Sequence, residues 1–220
     1  MHSAEFNVAV AYRLGCPILP APIQCPAKDC DKKLDIYGHH AVRCHSHGDI
    51  TIRHNRLRDL VYRKCESALL QPLKEPAGML RDCGLKPADV GIPNFIRHKP
   101  LATDLAVTDP LRADVVPRSC VPAFSACEDY AINVKHRKYS SLIKDDEIVF
   151  KAIVAETLGG WSSQAHEFFS FVATALAKRH PHGDVKLELK RFYELLSVSL
   201  QRSNARMILT RISGVNSDFI

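Results

Sequence analysis

The sequence has no apolar run approaching the ~20 residues that a membrane-spanning helix needs, so a membrane-spanning chain is not expected. Its first residues, Met1-His2-Ser3-Ala4-Glu5, lack a basic stretch followed by an apolar core, so a secretory signal is not expected either. No internal repeat of about 20 to 50 residues is visible, which argues against a solenoid or propeller. Cysteine, by contrast, is not scarce. Eight are present, at 16, 25, 30, 44, 65, 83, 120 and 127. In a charge-rich chain without a secretory signal they point to free thiols or metal ligands rather than a disulfide framework, and hence to an intracellular, reducing compartment.

At 220 residues the chain has room for one sizeable core and a small satellite. The formal charge of +6, with eleven histidines uncounted, favours a polyanionic partner. The expected division is a module over residues 1–50 and a main domain over residues 51–220.

Phe6 to Leu14 reads as a short helix ending at Gly15 and the prolines 17, 20 and 22. Cys25 and Cys30 follow, then Gly38-His39-His40-Ala41-Val42-Arg43-Cys44, with His45 and His47 close behind. Two cysteines on a tight turn, then a histidine and a cysteine about one turn apart, supply the thiolate and imidazole donors that Zn²⁺ prefers. With His39 as the third ligand the spacing is C-x4-C-x8-H-x4-C; His40 is the alternative. Such a closed shell is structural and leaves no open position for water.

From Ile52 to Leu70 apolar residues recur at three and four, and Arg53, Arg56, Arg58, Arg63 and Lys64 occupy the rest of the circumference. This is an amphipathic basic helix with phosphate contact as its candidate role; His54-Asn55 is expected to cap its start. Glu66 and Glu75 are candidate auxiliary carboxylates.

Two strands are expected at Lys86 to Ile92 and Leu101 to Thr108, with Pro93 to Pro100 as a loop or wide hairpin turn. Asp89 lies on the first and Asp104 on the second, where Asp104 shares a face with Ala102 and Ala106. Two acids amid apolar neighbours on adjacent strands are best explained by a shared hard cation, Mg²⁺ or Mn²⁺. From Phe124 to Leu142 the pattern is helical and puts Lys135, Lys138 and Tyr139 at i, i+3 and i+4 on one face. A lysine beside such a metal site can lower the pKa of a bound water or stabilise charge on a phosphorane. Ile148 to Glu156 reads as a central strand, and Ser162 to Arg179 and Asp184 to Arg202 as packing helices. Met207 to Leu209 is a possible edge strand.

Pro87-Ala88-Asp89, then Asp104, then Lys135-x-x-Lys138-Tyr139, preceded by the Cys/His cluster, resembles the restriction-like endonuclease of site-specific non-LTR retrotransposons, a variant PD-(D/E)XK nuclease. The resemblance covers about Cys25 to Trp161. It implies an α/β fold with a restriction-endonuclease-like mixed sheet flanked by helices and a small zinc module. It implies Asp89 and Asp104 as magnesium ligands, Lys135 as the catalytic lysine with Lys138 and Tyr139 completing the motif, and Cys25, Cys30, His39 and Cys44 as zinc ligands. Arg53, Arg56, Arg63, Lys64 and Arg137 are then candidate nucleic-acid contacts. The implied partner is double-stranded DNA in the nucleus, with RNA or a reverse transcriptase domain of a parent element as further partners. The chain departs from the pattern twice: an alanine separates Pro87 from Asp89, and no lysine follows Asp104 on its own strand. The chain is expected to be either a fragment of a larger element or a stand-alone relative.

Overall fold

The computed structural model describes residues 2–45, 48–77, 88–119, 122–139 and 148–213. Lys86, Pro87, His47, Cys83 and residues 140–142 of the expected elements lie outside them. The chain divides into two compact units, Met1–Asn55 with Ser197–Ile220, and Arg56–Leu196. The expected boundary after residue 50 therefore moves to residue 55, and the C-terminal segment groups with the N-terminal module rather than the main domain.

In the first unit α1 (Ser3–Leu14) ends at Gly15, whose φ of 65° is the left-handed conformation that glycine adopts without cost. A short ladder pairs β1 (Ile23–Gln24) antiparallel with β2 (Lys33–Leu34). A 3₁₀ turn, Ala41–Arg43, precedes α2 (Asp49–Ser67). The last helix, α7 (Val185–Ser213), runs straight through Met207 to Leu209, so no edge strand forms there. Leu200, Met207, Ile208 and Ile212 are all buried and recur with a helical period, which a three-residue apolar run read by itself conceals. Glu5 of α1 accepts from Arg202 Nε at 3.0 Å and Arg206 Nε at 2.6 Å. Asp49 accepts from Arg211 at 2.8 Å, and Asn204 from Arg53 at 2.8 Å.

The second unit is a mixed α/β fold around a four-stranded sheet ordered β3 (Leu73–Lys74), β4 (Val90–Ile96), β5 (Lys99–Thr108), β6 (Val149–Glu156). The first three strands are antiparallel and β6 is parallel to β5, from Leu101↔Val149 to Thr108↔Glu156. Parallel pairing requires a long crossover. Here it contains the helical segments α3 (Val116–Ser119), α4 (Ser125–Asp129), a π-helix (Tyr130–His136) and α5 (Arg137–Tyr139). Among the described residues β6 lies at the end of the sheet rather than at its centre.

The loop or wide hairpin turn expected between the two aspartate strands is a tight hairpin. Ile96 pairs with Lys99, leaving only Arg97 and His98 to turn, and the ladder shifts register between Ile92 and Ile96. That irregularity accommodates Pro93, which cannot donate to a ladder. On the other side of the crossover α6 (Ser163–Ala177) carries Phe168 and Phe169, and Trp161 and Phe192 stack on Phe169 at 5.1 and 4.8 Å between ring centroids. Each such buried ring contributes roughly 1.5–3 kcal/mol, so these stripes are core, as their spacing predicts.

Candidate metal centre and carboxylate–lysine site

Cys25, Cys30, His40 and Cys44 bring four donor atoms within 4.8 Å of one another, a cluster able to hold a metal ion such as zinc. Cys25 Sγ and Cys30 Sγ each stand 3.9 Å from Cys44 Sγ, and His40 Nε2 is 3.3 Å from Cys30 Sγ. A tetrahedron with Zn–S bonds of ~2.3 Å sets sulfurs about 3.8 Å apart, whereas a disulfide needs about 2.05 Å. The donor set therefore fits zinc and does not fit a bridge. Burial, together with the neighbouring Cys30 and Cys44 sulfurs, pushes the Cys25 thiol up to about 11. Crowded thiols of this kind ionise readily only beside a cation. Burial, then Arg43 and Lys32, holds the His40 imidazole below its usual value, in the neutral form that ligates metal.

The histidine that joins the three cysteines in this cluster is His40, not His39. Asp35 accepts the backbone N–H groups of Tyr37, His39 and His40 at 3.0, 3.1 and 2.7 Å, and Gly38 turns with a φ of 80°. This turn and the 3₁₀ segment after it set His40 four residues before Cys44, one helical step. His39 is swung away, its ring against Tyr12 at 5.6 Å and Tyr37 at 5.8 Å. The Asp35-to-Gly38 turn was the available signal.

In the second unit Asp89 and Asp104 meet. Val90 pairs with Thr103, so the two aspartates are the next cross-strand position. Asp89 N–H donates to Thr103 O at 2.7 Å, and the Asp89 carboxylate accepts the Leu105 N–H at 2.6 Å. The two carboxyl groups are close enough for Asp89 to raise the Asp104 carboxyl. Like charges directly opposite on a ladder repel, and Asp104 is buried besides. A cation answers this: Lys135 Nζ is 2.7 Å from Asp104 Oδ2. Burial, reinforced by Asp89, still holds the Asp104 carboxyl above the ordinary range despite Lys135. Burial works against the Lys135 charge, but Asp104 outweighs it and raises the lysine above its usual value. Lys135 therefore keeps its proton.

Lys135 reaches Asp104 because of the π-helix. Cys127, Ala131, Lys135 and Tyr139 step by four residues along the crossover. On a regular 3.6-residue helix three such steps advance about 120° around the axis. The wider i→i+5 turn over Tyr130–His136 takes up that drift. As a result Cys127 and Ala131 pack on Ala152 and Val154, and Tyr139 on Phe150, while Lys135 stays turned to the sheet. Lys138 leaves this face. It is exposed, its Nζ 4.9 Å from the Tyr139 ring centroid, so the expected common face of Lys135, Lys138 and Tyr139 does not form. Tyr139 is buried core, with Tyr130 standing 6.0 Å from the Lys135 ammonium.

Glu156 is neither at the carboxylate pair nor in solvent. It is buried and accepts the Cys127 N–H at 3.1 Å. Phe124, which precedes α4, offers no side-chain cap, so a strand carboxylate caps the segment that carries Lys135. Glu128 likewise accepts the N–H and hydroxyl of Ser163 at 2.8 and 2.6 Å, at the start of α6.

The basic helix sorts differently from its sequence pattern. Arg53 is buried on Asn204, and Arg58 is buried against Asp59 and Glu75, so neither is a surface contact and Glu75 is committed to Arg58. Arg56, Arg63 and Arg137 are exposed and Lys64 is half-buried. Glu66 is exposed on the same helix, where it raises the Tyr62 hydroxyl. His54 and Asn55 lie within α2, which begins at Asp49, and touch each other at 3.4 Å rather than capping its start.

No family model matches the chain, and no curated protein matches it.

Proposed function

We propose that the second unit is a metal-dependent endonuclease that hydrolyses phosphodiester bonds in double-stranded DNA, and that the Cys/His centre of the first unit holds structural zinc. The convergence of Asp89, Asp104 and Lys135 carries this reading. Two opposed carboxylates with one lysine leave an excess negative charge in a buried place, and their hard oxygens suit Mg²⁺ or Mn²⁺. Such an ion, when bound, supplies Lewis-acid polarisation of the phosphate and a water of lowered pKa. Asp89 and Asp104 hold it. Lys135, kept protonated by Asp104, donates to the oxygen on which negative charge grows and does not serve as the base. Arg56, Arg63, Lys64 and Arg137 offer charge to the phosphate backbone. The likeness to the restriction-like endonucleases of non-LTR retrotransposons supports the same assignment. It extends the reading to a nuclear protein that works with RNA or with a reverse transcriptase domain of its element.

The direct Lys135–Asp104 contact favours a second reading, an inactive nuclease-like module that binds nucleic acid and keeps the pair as an internal ion pair. Nicking of supercoiled plasmid separates the two. The wild type is expected to nick in Mg²⁺, and Asp104→Asn to lose that activity. Undiminished nicking by the variant sinks the catalytic assignment. A wild type that binds DNA yet never nicks in Mg²⁺ or Mn²⁺ establishes the second reading.

A further inference from the structure

The β4–β5 hairpin turns on two residues, Arg97 with φ 50° and His98 with φ 63°. A two-residue hairpin with both φ values positive is the turn that Asn-Gly occupies at least cost; other L-residues there lose roughly 1–2 kcal/mol each. This chain instead sets Arg97 and His98 in the turn and Lys99 directly after it. Arg97 and His98 are exposed. Among the described residues none of the three side chains has a hydrogen-bond, ion-pair or ring partner. The Arg53 and Arg58 guanidiniums, by contrast, are both spent on internal acceptors. The stem is fixed: Phe95 packs on Phe171 of α6 with ring centroids 4.6 Å apart. A two-stranded ribbon with a cationic tip is a shape that fits a DNA groove and its phosphates.

We infer that the Arg97-His98-Lys99 tip is a DNA-backbone contact that sets the register of the duplex against the Asp89–Asp104–Lys135 site. Lys99 and Asp104 are on one strand, and five residues at about 3.3 Å each span roughly 17 Å. At 3.4 Å per step of duplex that is about five base pairs. The tip thus grips phosphates about half a helical turn from the scissile bond. The positional part of this inference rests on the nuclease reading; the binding part does not.

The test is binding of a labelled duplex of about 30 base pairs to the full chain, without added magnesium, across a salt series. Arg97→Asn with His98→Gly gives the turn its preferred residues and removes the charge. That variant is expected to melt no lower than wild type. Its DNA affinity should fall roughly tenfold, with a salt slope flatter by about one. Lys99→Gln added to it should flatten the slope by about one more. A folded variant with wild-type affinity and slope overturns the inference. A loss confined to RNA duplex overturns the assignment to DNA. Failure of the wild type to nick sinks the nuclease reading and the register part of the inference with it, whereas unchanged binding sinks the hairpin contact alone.

Discussion

Lys135 Nζ and Asp104 Oδ2 lie 2.7 Å apart, joined from a π-helical turn to the middle of a strand. Lys138, three residues on, is exposed and makes its contact with the Tyr139 ring. The two lysines are therefore expected to separate in a nicking assay. Lys135→Met should lower the rate by about 10²–10³, the usual cost of removing a preorganised donor. Lys138→Met should stay within about threefold. Equal losses in both would place the lysines together in DNA binding rather than in chemistry.

Replacing each in turn distinguishes the adjacent histidines. His40→Ala is expected to lose stoichiometric zinc on purification without chelator, and His39→Ala to keep about one zinc per chain. Because binding free energy of structural zinc is folding free energy, chelation of the wild type should also lower its melting temperature. Zinc retained in His40→Ala and lost in His39→Ala would reverse the assignment.

Asp89 and Asp104 were legible together rather than singly, while the helical pattern offered Lys135 and Lys138 alike. Strand alternation fixes which residues face Asp104, and an acid amid apolar neighbours calls for a counter-charge. The π-helix was not legible, since nothing in Tyr130 to His136 distinguishes a five-residue turn from a four-residue one. His40 against His39 turned on the Asp35 carboxylate, a contact within one loop. Arg53 and Arg58 were misread for a longer-range reason. A helical pattern shows which arginines lie off the apolar stripe, but Asn204 and Glu75, which draw them inward, are 151 and 17 residues away.

Glu5 gives a pH dependence of known sign. Its hydrogen bond from Arg206 leads the causes that hold the carboxyl below its ordinary value of 4.5, with Arg202 assisting. A depressed acid contributes stability that is fully present above the unfolded value and lost as pH falls through the folded one. Glu5→Gln should therefore cost about 1 kcal/mol near neutral pH, and the difference from wild type should close below pH 4.5. Denaturant titrations from neutral to acid pH measure it. A difference that stays constant throughout would show that Glu5 acts through packing alone.

The Glu156 cap links stability to the lysine. Glu156→Ala leaves the Cys127 N–H unsatisfied in a buried place and should cost about 1–2 kcal/mol. Glu156→Gln keeps an acceptor oxygen and should recover most of that. Because Cys127 starts the stripe that ends at Lys135 and Tyr139, the alanine variant should also lose nicking activity where the glutamine variant does not. Denaturation midpoints alongside nicking rates test both halves; an alanine variant that loses stability but nicks normally would confine Glu156 to folding.

Leu69 ends α2 in the wrong chemistry for its conformation. Its φ is 58°, it is 70% exposed, and the chain around it closes with Leu70 N–H on Cys65 O at 3.0 Å and Leu69 N–H on Glu66 O at 2.9 Å. That is the paired bonding of a helix terminus that normally carries glycine. A left-handed leucine costs roughly 1–2 kcal/mol, and glycine at the same place costs the unfolded chain about 0.5–1 kcal/mol of added freedom. The first effect is the larger, because an exposed leucine forfeits little burial when it is removed. Leu69→Gly is thus expected to raise stability by about 0.5–1 kcal/mol, read as a higher denaturant midpoint at unchanged slope. A lower midpoint would mean that Leu69 makes contacts worth more than its strain.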